Sequence, residues 1–295
     1  MAYKTPQEAS AAAVIAGMRK ANLSWDRALV GGFLAGAYIA FASLLAIAVS
    51  SGLDPKTWGT LPTLFTGTVF ALGLILVVVA GAELLTGNMA LLPVALLRRK
   101  ITLGQLGVNF GLVLVGNLLG SLFVAYFLAY KTGIIGESAT SAGAAGLEHV
   151  RAAALATGKG VTETNYEIFL RGLGCNWLVC LGVWMAYSAE DIGGKILAIF
   201  FPIMGFVAMG FDHVVANMFF LPLGHFIGTP GLSWGRVVNN LVFAGLGNLV
   251  GAGVFVAGAY WFIHLRGTAD SADESPAPAS ERGDGGGIRA GSVRH

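Results

Sequence analysis

Long apolar runs separated by short polar breaks make up most of this chain, and their lengths predict how each run is used. Residues 28 to 50, 103 to 130, 166 to 188 and 237 to 265 each form one apolar stretch of the ~20 residues or more that a bilayer core requires. Two further runs do not fit that pattern. Residues 61 to 97 make 37 positions, interrupted near the centre by Glu83, Thr86, Gly87 and Asn88 and later by Pro93. Residues 194 to 226 make 33 positions, with Asp212, His213 and Asn217 at the middle. Each is too long for one straight span and too short for two with a loop between them. A broken helix accounts for both the length and the polar interruption, with irregular links near Glu83 to Asn88 and around Asp212 and His213. The fold class is therefore an all-α membrane protein of six transmembrane helices, two of them broken.

The flanks read differently. Residues 1 to 27 contain no apolar region that would make a cleavable signal. Thr5, Pro6 and Glu8 instead signal a capped helix start. Ala11, Val14, Ile15 and Met18 then recur at helical spacing opposite Lys4, Arg19 and Lys20, which predicts an amphipathic helix along the membrane surface or a plain flanking helix. Residues 131 to 165 are a hydrophilic connection rich in Ala, Gly and Ser, and residues 266 to 295 have the composition of a disordered tail. The domain division is thus a helix in 1–27, a membrane domain in 28–265 and a tail in 266–295.

Composition supports this reading. The chain is 55% hydrophobic and 12% charged, against about 25% charged in soluble proteins. A net charge of +2 with scattered basic residues, apart from Arg98-Arg99-Lys100, excludes nucleic acid as a partner. Cys175 and Cys180 suit neither a disulfide framework nor a metal site and read as packing residues. No metal or cofactor is expected, and no enzyme chemistry. The 43 glycines fit helices that approach closely through small side chains.

The halves repeat. Glu83, Asn88-Met89 and Leu92-Pro93 recur as Asp212, Asn217-Met218 and Leu221-Pro222, at an offset of 129. Gly116-Asn117-Leu118-Leu119-Gly120 recurs as Gly247-Asn248-Leu249-Val250-Gly251, at an offset of 131. With three crossings in each repeat, about 28–130 and 166–265, the second half enters the membrane from the opposite side and the repeat is inverted. Placing Arg98 to Lys100 inside puts both termini in the cytoplasm. Inverted repeats with broken helices put a substrate path at the repeat interface near the midplane, which brings Thr86 close to His213. An ionisable group there costs at least ~2.5 kcal/mol unless it has partners, so His213 is a site candidate; the plainer alternative is a histidine bonded to the freed backbone of the break. Thr86 suits a cap, a pore group or both. Glu83, Asn88, Asp212 and Asn217, present in both halves, read as support for the helix breaks. For Asn117 and Asn248, helix packing and pore lining compete.

Gly81-Ala82-Glu83-Leu84-Leu85-Thr86-Gly87-Asn88, the stretch from Asn176 through Trp177 to Met185, and Gly210-Phe211-Asp212-His213 through Asn217-Met218 together resemble the formate/nitrite transporter family of bacterial anion channels. The resemblance covers about residues 5 to 265. It implies an aquaporin-like protomer in a homo-pentamer of the cytoplasmic membrane, with one pore per subunit for a small monovalent anion such as formate or nitrite. It further implies that His213 and Thr86 face each other in the pore, with Asn176, Asn248 and Lys159 along the path. Apolar constrictions would fall at Phe70, Leu74, Leu84, Val179 and Phe206, with Leu85 where the formate channel carries phenylalanine. The expected mechanism is a weak-acid anion that receives or shares a proton at His213. The rivals are a neutral-solute channel of aquaporin type and a hydrosulfide-selective member of the same family.

Overall fold

A computed structural model describes residues 3–268, so residues 269–295 of the expected tail lie outside the described residues. Helix α1, Pro6–Ala21, starts as its sequence dictates: the Thr5 hydroxyl accepts from the Glu8 amide at 3.3 Å, and the Glu8 carboxylate accepts from the Thr5 amide at 2.7 Å. Its buried face is Ala9, Ser10, Ala13, Val14 and Gly17, one step round from the expected stripe, and Ile15 is exposed. The reason is packing. This helix lies against other helices of the protein, where small residues allow the closest approach.

Helix α2 is Trp25–Ser50, α3 is the single turn Pro55–Trp58, and α4, Leu61–Leu76, continues as a π-helical turn through Gly81. Then come α5, Leu85–Leu97, and α6, Leu103–Phe123, which runs on as π-helix to Tyr130. The connection 131 to 165 is not a plain loop: it holds α7, Ala144–Thr157, and a π turn over Gly158–Thr162. The remaining helices are α8, Asn165–Ser188, α9, Ile192–Ala208, α10, Val214–Phe226, and α11, Trp234–Ala252, which extends with wider turns to Leu265. Among the described residues, five helical segments are long and apolar enough to cross a membrane: Trp25–Ser50, Leu61–Gly81, Leu103–Tyr130, Asn165–Ser188 and Trp234–Leu265. Helices α5, α9 and α10 are shorter and apolar. Both α5 and α10 are buried on nearly every side, as helices without a polar face must be.

Both long runs are broken where polar residues interrupt them. Each break turns on a glycine in the left-handed region, Gly81 at φ 84° and Gly210 at φ 74°, a conformation that ends helices cheaply only when no Cβ is present. The chain then stays extended through Leu84 in one break and reaches an extended His213 in the other. The first link is shorter than its sequence suggested. Helix resumes at Leu85, so Thr86, Gly87 and Asn88 are helical, because Asn117 supplies the acceptor that the Leu85 amide needs at 2.9 Å.

Asn117 and Asn248 do the same work in the two halves. Asn117 Nδ2 donates to the carbonyls of Gly32 and Glu83, each at 2.8 Å, while its Oδ1 takes the Leu85 amide. Asn248 Nδ2 donates to the carbonyls of Gly172 and Asp212, each at 2.8 Å, while its Oδ1 takes the Val214 amide at 2.9 Å. The neighbouring glycines let α6 press on α2, and α11 on α8. A Cβ on Gly120 would lie 2.0 Å from the Phe33 carbonyl oxygen, and one on Gly251 2.2 Å from that of Leu173. Gly120→Ala and Gly251→Ala are therefore expected to cost about 1–3 kcal/mol or more by overpacking, read as a lower unfolding temperature in detergent. Gly111→Ala, on an open face of α6, is the control and should change nothing. Equal unfolding temperatures for all three variants would contradict this packing.

Candidate functional site

Thr86 and His213 meet where the two breaks face each other. His213 Nε2 lies 2.8 Å from Thr86 Oγ1, and both side chains are buried. His213 is also the N-cap of α10: the Ala216 amide donates to Nδ1 at 3.1 Å. A backbone amide can only donate, so Nδ1 carries no hydrogen, and in the neutral ring the hydrogen sits on Nε2 and is given to Thr86. The hydroxyl's own hydrogen then has no acceptor among the described residues. The plain and the functional readings of His213 thus coexist, one on each ring nitrogen.

The first half lacks that cap. Leu84 stands where His213 stands and offers no acceptor, so α5 begins without a side-chain cap from its own N-cap residue. The helix N-terminus there presents backbone N–H groups and a partial positive charge beside Thr86. The Thr86 carbonyl is held from behind by Asn176 Nδ2 at 3.1 Å and by the Cys180 thiol at 3.2 Å. Asn176 spends its second amide hydrogen on the Asn248 carbonyl at 2.9 Å. Both amide hydrogens of Asn176 and both of Asn248 are therefore used on backbone carbonyls. Cys180, read from the sequence as packing, contributes a donor that no spacing rule indicates.

Aromatic rings pack beside His213. The Phe206 ring stacks on His213 with centroids 5.9 Å apart, and Phe70 meets Phe206 edge-on at 5.9 Å. Phe70, Leu74, Leu84, Leu85, Val179 and Phe206 are all buried. A cavity of about 320 Å³ opens to one side, lined by Lys20, Lys195, Glu83 and Tyr187 and by Leu74 and Leu84, but by neither Thr86 nor His213.

Each break carries a lysine–carboxylate pair. Lys20 Nζ binds Glu83 Oε1 at 2.8 Å, and Lys159 Nζ binds Asp212 Oδ1 at 2.8 Å. Asn88 Nδ2 bridges Glu83 and Asn109, while Asn217 Nδ2 bridges Asp212 and Asn240. Asn109 and Asn240 in turn donate to the carbonyls of Lys20 and Lys159, each at 2.9 Å. The correspondence extends to the leftover atoms: Oδ1 of Asn88 and of Asn217 is buried without a donor. From the sequence Lys20 reads only as part of the polar side of α1, and Asn109 and Asn240 are not singled out. Asn109 and Asn240 share the offset of 131 with the Gly-Asn motif and were legible on that ground; Lys20 and Lys159, 139 apart, share no register.

Helices broken at paired positions, a buried polar pair between them and a cation bound at each break suit a membrane transport protein. The formate/nitrite transporter family model matches residues 7–262. The chain is 47% identical over 264 residues to an uncharacterized transporter of Bacillus subtilis (strain 168), YrhG, covering 89% of this chain and 94% of that one. It is 42% identical over 271 residues to a probable formate transporter of Methanothermobacter thermautotrophicus, covering 90% and 98%. A solved pentameric formate channel with formate bound superposes with a TM-score of 0.68 at 30% identity, covering 82% of this chain and 98% of the other. The chain belongs to the formate/nitrite transporter family.

Proposed function

We propose that this protein conducts small monovalent anions of weak acids, formate or nitrite foremost, along a path that passes between Thr86 and His213. The observation that carries the reading is the buried 2.8 Å contact of His213 Nε2 with Thr86 Oγ1 at the meeting of the two breaks. The matched bonds of Asn117 and Asn248 support two inverted repeats and six crossings, with each broken run counted once. The resemblance to a solved pentamer supports a homo-pentamer in the lipid bilayer with one path per protomer. The basic triplet Arg98 to Lys100 supports cytoplasmic termini, with α1 packed on that face.

An anion entering apolar surroundings meets a desolvation penalty of several kcal/mol. Lys159 and Lys20 attract it at the two approaches. Phe70, Leu74, Leu84, Val179 and Phe206 strip water and make an unpartnered charge costly. At the centre, the Thr86 hydroxyl hydrogen, the N–H groups opening α5 and His213 Nε2–H replace the lost hydration. Because Nδ1 is occupied by the Ala216 amide, the ring shares its Nε2 hydrogen with the anion as a strong hydrogen bond. A proton that travels with the anion completes a neutral weak acid.

The test is flux into liposomes holding the purified protein, with formate, nitrite, acetate, lactate and hydrosulfide compared against glycerol and water. Saturable flux of at least one of the anions, quickened by an inward proton gradient, is expected. Rapid glycerol or water flux with none of the anions moving would overturn the reading in favour of a neutral-solute channel.

A further inference from the structure

The approach beside Lys159 holds one carboxyl more than the transport path uses. Glu163 follows the π turn after α7; its Oε1 accepts from Arg171 Nη1, and its Oε2 is buried with no partner. Asp212, fully buried, is in the same condition: Oδ1 accepts from Lys159 Nζ at 2.8 Å and from Asn217 Nδ2 at 2.9 Å, while Oδ2 has no partner. The two carboxyls lie near enough to act on each other's protonation. Two acceptor oxygens satisfy each other only when a hydrogen lies between them.

We propose that Glu163 Oε2 and Asp212 Oδ2 share one exchangeable proton, and that this proton sets the charge of the approach by which the anion arrives at His213. The charged groups facing the pair come from every neighbouring element: Lys159 from the turn after α7, Arg171 from α8 and Asp212 from the break before α10. From α11, Arg236 binds the Val161 carbonyl at 3.0 Å, and Glu167 of α8 closes the capping box on Thr164. With the proton in place, Lys159 and Arg171 outweigh a single carboxylate charge, and an anion is attracted. Without it, two carboxylates cancel the two cations. Water at the approach supplies the proton and receives it when Glu163 ionises, so only an O–H bond is made or broken. Burial foremost, then the Asp212 carboxylate, pushes the Glu163 carboxyl up to about 7 against the pull of Lys159 and Arg171, which places the exchange in the working range of a cell.

Among the described residues, the other approach has no such pair. Glu83 is the carboxylate beside Lys20, and both Glu83 oxygens are taken, by Lys20 and by Asn88. Among the described residues, the pair therefore belongs to one side of the protein.

This inference rests on the reading of the chain as an anion path, and two measurements keep them separable. Infrared difference spectra of the purified protein, titrated through neutral pH, should show a protonated carboxyl C=O band that disappears as pH rises through about 7. Glu163→Gln should abolish that titration, and Glu163→Asp should keep it with a displaced midpoint. In liposomes, the ratio of wild-type to Glu163→Gln formate flux should change roughly tenfold between about pH 6 and about pH 8, as expected for one site titrating near 7. A titrating band that persists unchanged in Glu163→Gln, or a flux ratio that is flat with pH, overturns the shared proton. Wild-type protein that moves no anion while its carboxyl band titrates and responds to Glu163→Gln overturns the anion path and leaves the shared proton standing.

Discussion

His213→Asn is expected to yield a folded protein that moves formate at least about tenfold more slowly than wild type. Asparagine is a good N-cap, so it can accept from the Ala216 amide as His213 Nδ1 does. It is too short to reproduce the second nitrogen, which reaches Thr86 at 2.8 Å. Losing one hydrogen bond worth about 1.4 kcal/mol at this buried contact corresponds to about a tenfold loss of rate. His213→Phe removes the cap as well and should lower the unfolding temperature in addition to flux. The measurement pairs liposome flux, with and without a pH gradient, with thermal unfolding in detergent. Wild-type flux in His213→Asn would mean that the histidine serves only the backbone of the break.

Asn117→Ala and Asn248→Ala are expected to be the most destabilising single changes in the molecule, and to a similar degree. Each strands one amide and two carbonyls: Leu85, Gly32 and Glu83 in one case, Val214, Gly172 and Asp212 in the other. Each orphaned buried group costs about 1–3 kcal/mol, and interhelical bonds within membranes average nearer about 0.6 kcal/mol. A combined loss of about 2–6 kcal/mol follows, visible as a large fall in unfolding temperature or as loss of the assembled protein. Restoration is not expected from Asn117→Asp, which keeps the acceptor for Leu85 but lacks both donors. If one asparagine proves dispensable while the other is essential, the two breaks are not held by matched clamps.

Much of this architecture was readable without coordinates because it rests on run length and residue type. A run of 37 apolar positions cannot be one straight span, and polar residues at its middle have to mark the place where the helix opens. The capping box at Thr5 and Glu8 is a local signal with one physical meaning, and the Gly-Asn motifs mark the repeat. Where local signals are weak, less can be read. The face of α1 that packs on the protein is Ala9, Ser10, Ala13, Val14 and Gly17, mostly small residues that carry little hydropathy signal. Helix α7 was missed because Ala, Gly and Ser between hydrophilic ends read as a loop.

The sequence by itself determined the membrane class, the positions of the two breaks and the candidacy of His213, since each follows from hydropathy and from the cost of a polar group in an apolar run. Only the tertiary structure decided which atoms do what. It assigned His213 Nδ1 to the backbone and Nε2 to Thr86, gave the side-chain amides of Asn176 and Asn248 their backbone partners, and set Glu163 against Asp212. Apart from the Nδ1 cap three positions along, those assignments depend on distances between residues 36 to 127 positions apart, and one-dimensional spacing carries no information about which lone pair is already taken.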